Sequence, residues 1–179
     1  LALSLSLVRF LPELARRQER REWASELGGA QPLHPEGAPI TTLLGAHVTI
    51  WGFGSIGQTL APLFTALGAK ASGIARSTGE RAGYPVVATE EKDELLARTD
   101  LLVMILPSGE ATADSLDAAV LKTLPDTAYV VNVGRGSTVD EAALIEALEE
   151  GRIAGAAIDV AKTEPLPAED PLWGAPHLI

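Results

Sequence analysis

Three glycines with the spacing Gly52-x-Gly54-x-x-Gly57 form the segment of this chain best suited to bind a ligand. They follow a short apolar run and precede a helical pattern that begins at Ser55 and Ile56. A strand, a glycine turn and a helix in this order direct backbone N–H groups and the positive end of the helix dipole towards a pyrophosphate. Gly52 permits the tight turn, Gly54 leaves room for the ligand, and Gly57 lets the helix lie close to the strand. The spacing therefore predicts a dinucleotide site built from these five residues.

Charged side chains follow two later apolar runs, at positions where a substrate could bind. Arg135 follows the run 129–133 and lies between two glycines, which is an unusual position for a surface charge. Its guanidinium could bind a carboxylate through two hydrogen bonds and polarise a neighbouring carbonyl. Asp159 ends the next apolar run, and Glu164 follows it. On the residues alone, Asp159 could equally be a loop cap and Glu164 a solvated charge.

The residues after the second apolar run, Arg76 and Ser77, indicate which dinucleotide is bound. Domains that bind NAD place an acidic residue there, about 20 residues beyond the glycine turn, where it holds the ribose 2′-hydroxyl. Here the nearest carboxylate is Glu80. Because an arginine can bind a 2′-phosphate and no carboxylate would repel it, Arg76 and Ser77 predict NADP as the cofactor, with NAD as the alternative. A different role for Arg76 is to stack on the adenine or simply to be solvated.

Alternating strand and helix patterns predict the elements that position these residues. The predicted strands are 47–53, 71–75, 101–105, 129–133 and 155–159, with a weaker one at 85–88. The predicted helices are 55–67, 90–98, 113–122 and 138–150, the last of them capped by Ser137 or Thr138. Short apolar strands that alternate with helices predict an α/β fold, a doubly wound parallel sheet of the Rossmann type. Its ligand site should lie at the carboxyl ends of the strands.

The first 45 residues precede this core within one predicted dinucleotide-binding domain, 1–179. A leading helix is predicted over 1–23, a loop over 24–45 that is richest in proline and glycine at 28–39, and the Rossmann core over 46–179. The apolar start is too short to cross a bilayer, and no signal-peptide cleavage site is evident. Because the chain starts without methionine, we expect it to be part of a longer protein.

Composition argues against several classes of partner. A formal charge of −10 disfavours nucleic acid and an anionic membrane surface. The sequence has no cysteine, which excludes disulfides, thiolate catalysis and cysteine-ligated metals, and no metal site is predicted. We expect a cytoplasmic protein whose partners are small molecules.

These motifs together resemble the cofactor domain of the D-isomer-specific 2-hydroxyacid dehydrogenases, over essentially the whole chain. The resemblance is carried by the glycine turn, by the run 132–140 and by the run 155–173. It implies a Rossmann fold that is incomplete at both ends relative to the full enzyme, with the separate substrate domain absent. The acidic ribose ligand common in the family corresponds to Ala75, which favours NADP. The residues implied to line the cofactor are Leu106, Pro107, Val133, Gly134 and Asp159.

The resemblance also implies a reaction, hydride transfer between NADP(H) and a small 2-oxo acid such as glyoxylate or hydroxypyruvate. Arg135 would bind the 2-oxo acid, and Glu164 would raise the basicity of a histidine that donates the proton. That histidine is expected beyond Ile179. The histidines present, none of which matches it, are His34, His47 and His177.

A homodimer is a further implication of the resemblance, and it would bury the leucine-rich face of residues 1–14. Two other functions stay open on the sequence. One is a nucleotide-sensing regulatory protein of the co-repressor type on the same fold, in which Arg135 and Glu164 would serve cofactor-dependent assembly. The other is a non-catalytic fragment that binds cofactor.

Overall fold

A seven-stranded sheet forms the centre of the protein in the computed structural model, which describes residues 1–27 and 34–179. The strand order is β3-β4-β2-β1-β5-β6-β7, and every neighbouring pair is parallel except the antiparallel hairpin β3–β4. This topology confirms the predicted α/β fold with a doubly wound parallel sheet. The strands are β1 (His47–Trp51), β2 (Lys70–Ala75), β3 (Gly79–Arg81), β4 (Tyr84–Ala88), β5 (Leu101–Met104), β6 (Tyr129–Asn132) and β7 (Gly155–Ile158).

Helices cover both faces of this sheet, so its central strands are mostly apolar rather than alternating between apolar and polar residues. The helices are α1 (Ala2–Val8), α2 (Leu11–Arg20), α3 (Ser55–Ala66), α4 (Asp93–Leu96), α5 (Ala118–Thr123) and α6 (Glu141–Glu149). Buried side chains of α1 and α3 pack on one face, where Val8 and Phe64 join the cluster around Ile50. Side chains of α4, α5 and α6 pack on the other face, around Leu102.

The order of the strands places a crevice between β1 and β5. The chain leaves β1 through α3 towards β2 on one side, whereas β5 lies on the other side of β1. A reversal of this kind opens a crevice at the carboxyl ends of the two strands, where ligands bind in folds of this class. The glycine turn directly follows β1, so the fold positions it at this crevice.

The predicted single helix over 1–23 is wrong, because the chain breaks between α1 and α2. Phe10 has a left-handed backbone with φ 55°, and α2 ends at Arg21 with φ 57°. Pro12 lies in the first turn of α2 and supplies the reason. In a continuous helix its ring would meet the carbonyl of Val8, and its missing N–H could not bond that carbonyl. Within the predicted loop 24–45, Ser25–Leu27 form one 3-10 turn, and residues 28–33 of the segment 28–39 lie outside the described residues.

Two helices begin later than predicted because an aspartate caps each of them. The helix predicted over 113–122 begins only at Ala118, since the Asp117 side chain accepts the N–H of Val120. The helix predicted over 138–150 begins at Glu141, and its cap is Asp140 rather than Ser137 or Thr138. The helix predicted over 90–98 is limited to α4 and a preceding 3-10 turn. Among the described helices, none is long and apolar enough to cross a membrane.

Candidate functional site

A cleft of about 880 Å³ opens at the carboxyl ends of β1, β2 and β5. Its volume is that of a typical cofactor or ligand pocket. The predicted cofactor residues that line it are Gly52, Gly54, Ser55, Ile56, Arg76, Leu106 and Pro107. The structure therefore brings together the glycine turn, the end of β2 and the loop after β5.

The glycine turn is shaped to receive an anion. Gly52 has a φ of 101°, and a Cβ atom there would lie 2.6 Å from the Ile105 carbonyl oxygen, so only glycine fits. A Cβ on Gly57 would lie 3.2 Å from the Gly52 oxygen, which shows how closely α3 approaches the turn. Gly54 has no such neighbour within 4 Å and is open. Because no side chain caps α3, its first N–H groups are free to bind phosphate oxygens.

Two arginines lie at the end of β2. Arg76 is exposed and lines the cleft. Arg81 lines the same cleft, and its guanidinium donates to the Ser77 hydroxyl at 3.0 Å and to the Phe53 carbonyl at 3.3 Å. Ser77 is exposed and does not itself line the cleft, but its hydroxyl accepts a hydrogen bond from Arg81, which does.

The turn after β6 packs on the loop after β5 without reaching the cleft itself. A Cβ on Gly134 would lie 2.7 Å from the Leu106 carbonyl oxygen, so this buried glycine allows the close approach. Val133 is half-buried beside it. The buried Asn132 side chain holds the turn, because it accepts the N–H of Gly134 at 3.0 Å and donates to the carbonyl of Arg135 at 3.1 Å.

Arg135 leaves this turn in an extended conformation and is exposed. One of its guanidinium nitrogens donates to the Gly134 carbonyl at 2.7 Å. Among the described residues, no carboxylate lies within ion-pair distance of it. The guanidinium therefore keeps donors and charge for a carboxylate ligand.

The segment after β7 carries the predicted carboxylates beside the Arg135 turn. Asp159 is exposed, and its N–H donates to the Asn132 carbonyl at 2.9 Å. Glu164 is also exposed, and its Oε1 accepts the N–H of Ala161 at 3.0 Å. Both line a second cavity, of about 470 Å³, together with Trp173. Neither of them lines the larger cleft.

One backbone contact and one ion pair hold the segment after β7 in place. A Cβ on Gly136 would lie 1.9 Å from the Ala161 carbonyl carbon, so the turn that carries Arg135 lies directly against the segment that carries Glu164. Lys162 extends to Asp114, with 2.6 Å between its Nζ and a carboxylate oxygen. This hydrogen bond raises the pKa of the Lys162 ammonium.

All 179 residues match the family model described as "D-isomer specific 2-hydroxyacid dehydrogenase, NAD binding domain". The chain belongs to this dehydrogenase family. The resemblance carried by the glycine turn, the Arg135 run and the Glu164 run is thereby confirmed.

Named relatives in the dehydrogenase family agree with this assignment. The glyoxylate/hydroxypyruvate reductase A of Salmonella paratyphi B is 38% identical over 132 residues, which are 73% of this chain and 42% of that protein. The structure of a family member from Aeromonas salmonicida has a TM-score of 0.82 at 38% identity, over 98% of this chain and 53% of that one. The NADPH-dependent glyoxylate/hydroxypyruvate reductase of Sinorhizobium meliloti, solved with NADP and sulfate, has a TM-score of 0.83 at 29% identity, with 98% and 53% covered. The chain thus spans about half the length of these relatives.

The three histidines of this dehydrogenase domain lie away from the carboxyl ends of the strands. His47 is the first residue of β1, and its N–H donates to Asp100 at the amino ends of the strands. The His177 carbonyl accepts the N–H of Ala156 near the start of β7, so His177 also lies at the amino ends of the strands. His34 is exposed, and its ring contacts the Leu44 carbonyl oxygen at 2.7 Å. The proton donor of the proposed reaction therefore stays a prediction.

One cleft residue of this dehydrogenase domain, Arg81, was missed by the sequence reasoning. It lies in β3, a short edge strand that the patterns did not predict. Ala82 and Gly83 form the loop of the β3–β4 hairpin, with φ values of 52° and 83°. A two-residue loop with positive φ at both positions is typical of a hairpin, so the glycine before Tyr84 was the available signal.

Proposed function

We propose that this chain is the cofactor domain of an NADP(H)-dependent reductase that acts on a small 2-oxo acid such as glyoxylate or hydroxypyruvate. The observation that carries the proposal is Arg76, which lines the cleft at the end of β2, where a carboxylate would select NAD. The names of the Salmonella and Sinorhizobium relatives support the substrate class, and the NADP in the Sinorhizobium structure supports the cofactor. Hydride transfer in either direction is compatible with the same residues.

The residues of the cleft fit this cofactor. The open space at Gly54 and the uncapped start of α3 suit a pyrophosphate, held by N–H groups of the glycine turn from Gly52 to Gly57. Arg76 and Ser77 would bind the 2′-phosphate, while Leu106 and Pro107 would contact the cofactor from the loop after β5. When bound, the reduced nicotinamide supplies a hydride.

Arg135 would bind the substrate carboxylate and polarise the adjacent carbonyl. Its exposed guanidinium is tied to the chain by one hydrogen bond to Gly134, so donors remain for a ligand with two oxygens. Val133 and Gly134 position this turn on the loop after β5, and Asp159 lies at the neighbouring strand end. A role in substrate binding explains why Arg135 lies between two glycines, because a merely solvated arginine would not need that position.

Glu164 would orient a histidine and raise its basicity. The N–H of Ala161 holds one carboxylate oxygen of Glu164 and thereby fixes the group. The other oxygen remains available for an imidazole N–H. A carboxylate in that position stabilises the imidazolium form, which holds a proton for the alkoxide that forms on the substrate.

We further propose a homodimer formed through the leading helices. Leu7 and Val8 are already buried against the sheet of their own chain. A dimer would therefore use the exposed leucines Leu1, Leu5 and Leu11 rather than the whole leucine-rich face. Cytoplasmic location and the lack of a nucleic-acid partner stay predictions from composition.

Steady-state kinetics of the full-length protein test the proposed reaction. We expect NADPH oxidation with glyoxylate and hydroxypyruvate, and at least about a tenfold loss of kcat/KM in Arg135→Gln, the loss expected for a charged hydrogen bond. The matched control is Arg152→Gln, because Arg152 is exposed and its guanidinium contacts only the Lys122 carbonyl among the described residues. Cofactor binding with no turnover of any 2-oxo acid, and with Arg135→Gln equal to the control, would contradict the enzyme and favour the regulatory alternative.

A further inference from the structure

We propose that Arg81 is a second ligand of the cofactor 2′-phosphate and that the β3–β4 hairpin delivers it to the cleft. This inference rests on the proposed NADP function and adds a residue that determines cofactor specificity. Arg81 lines the same cleft as Arg76, although four residues lie between them in the chain.

The hairpin is anchored beside the glycine turn. Strand β4 pairs with β2, with Ala88 opposite Ala75, so the open end of the hairpin lies at the end of β2 that carries Arg76. The Arg81 side chain reaches back to that end, where it contacts Ser77. The ring of Tyr84 in β4 lies 6.0 Å from the ring of Phe53 in the turn. Phe53 in turn packs so closely on β2 that a Cβ at Gly73 would lie 2.4 Å from its ring. The position of Arg81, opposite Tyr84 in the hairpin register, is therefore fixed by packing.

The Arg81 guanidinium is held in place but keeps donors free. Its contacts are the Phe53 carbonyl at 3.3 Å, the Ser77 carbonyl at 3.4 Å and the Ser77 hydroxyl at 3.0 Å. Since a guanidinium has five N–H donors, two remain for a ligand. The Ser77 hydroxyl accepts from Arg81, so its own O–H is also free to donate. Because these hydrogen bonds already hold the guanidinium before a ligand arrives, it loses less conformational entropy when it binds a phosphate.

The charges of the cleft favour an anion. Among the described residues, neither Arg76 nor Arg81 has a carboxylate within ion-pair distance, whereas Arg16, Arg17 and Arg20 of α2 all pair with glutamates. The charged residues that line the cleft are Arg76, Arg81 and the exposed Glu90. The lining is therefore net positive in a chain of formal charge −10. A phosphate dianion at the end of β2 is the ligand group that this arrangement would bind.

Calorimetry with paired ligands tests the role of Arg81 in the full-length protein. The ligand pairs are NADPH with NADH, and 2′,5′-ADP with 5′-AMP, because each pair differs only in the 2′-phosphate. We expect Arg81→Gln to weaken NADPH and 2′,5′-ADP by about tenfold, which corresponds to ~1.4 kcal/mol, and to change NADH and 5′-AMP by less than about twofold. Arg81→Lys should be intermediate, since it keeps the charge but loses the planar fork.

The comparison with Arg76→Gln separates two kinds of failure. If the wild-type protein does not prefer NADPH, the proposed NADP function fails. If it does prefer NADPH and Arg76→Gln abolishes the preference while Arg81→Gln leaves it intact, only the role of Arg81 is overturned. Equal weakening of all four ligands by Arg81→Gln would also overturn it, because that result indicates a structural role in the glycine turn.

Discussion

Replacing Gly136 with alanine tests the contact that joins the Arg135 turn to the Glu164 segment. The added Cβ would lie 1.9 Å from the Ala161 carbonyl carbon and 2.0 Å from its oxygen. Ordinary contacts begin at 3.4 Å, so the two segments would have to separate by about 1.5 Å. Both contacting atoms belong to the backbone, and therefore no change of side-chain rotamer relieves the clash.

The cost can be estimated from overpacked cores, where an extra methylene costs about 1–3 kcal/mol and sometimes more. Because backbone must move here, we expect a loss at the upper end, about 3 kcal/mol. The same movement displaces Arg135 from Glu164. A misplacement of about 1 Å in an active site can cost about 10²-fold in rate, so kcat/KM should fall by that order.

Urea unfolding followed by circular dichroism measures the stability of Gly136→Ala, and 2-oxo acid reduction measures its kcat/KM. The matched control is Gly174→Ala, since a Cβ at Gly174 meets no atom within 4 Å and its backbone needs no positive φ. The control should stay within about 0.5 kcal/mol of the wild type. A Gly136→Ala protein as stable and active as Gly174→Ala would show that the contact between Gly136 and Ala161 does not constrain the Arg135 turn.

Three further predictions concern stability. Asp140→Ala removes the side chain that accepts the N–H of Ala143, and it should lower the free energy of unfolding by ~1 kcal/mol in urea titrations; an unchanged midpoint would argue against the cap. Burial raises the pKa of Tyr129 to about 12. The folded state thus favours the neutral phenol. Its contribution to the free energy of unfolding is complete below about pH 10 and is lost as the pH rises towards the folded pKa. Tyr129→Phe should therefore lose less stability than the wild type between pH 9.5 and pH 11.5, and equal losses would contradict the assignment. Asp114→Asn should lower the pKa of Lys162, measured by NMR titration, yet cost only ~0.2–1 kcal/mol, because the pair is exposed; a larger loss would show that the pair is structurally essential.

The sequence was sufficient for the parts of the fold that rest on local patterns. The glycine turn was found because its spacing follows an apolar run. Strands β1, β5, β6 and β7 were found because strands buried on both faces are mostly apolar. The break at Phe10 was missed because the leucine pattern continues across it. Pro12 was the signal that should have ended the first helix.

The features that were not predicted depend on contacts between residues that lie far apart in the sequence. Strand β3 is three residues long with largely exposed side chains, so no alternation reveals it, and Arg81 was missed with it. The approach of Gly136 to Ala161 joins residues 25 apart in the chain, and no periodicity encodes such a contact. The residue pattern suggested a carboxylate-binding role for Arg135, whereas the role of Glu164 came from the family resemblance.

The central claim is that the cleft at the glycine turn binds NADP(H), and a parallel titration of the full-length protein with NADPH and NADH tests it most directly. Nicotinamide fluorescence reports binding, and Gly54→Val serves as the control because it fills space that is open at the cleft. We expect NADPH to bind at least about tenfold tighter than NADH, a difference of ~1.4 kcal/mol, and Gly54→Val to lose the binding of both. Tighter binding of NADH would contradict the role of Arg76, and binding that survives Gly54→Val would contradict the site itself.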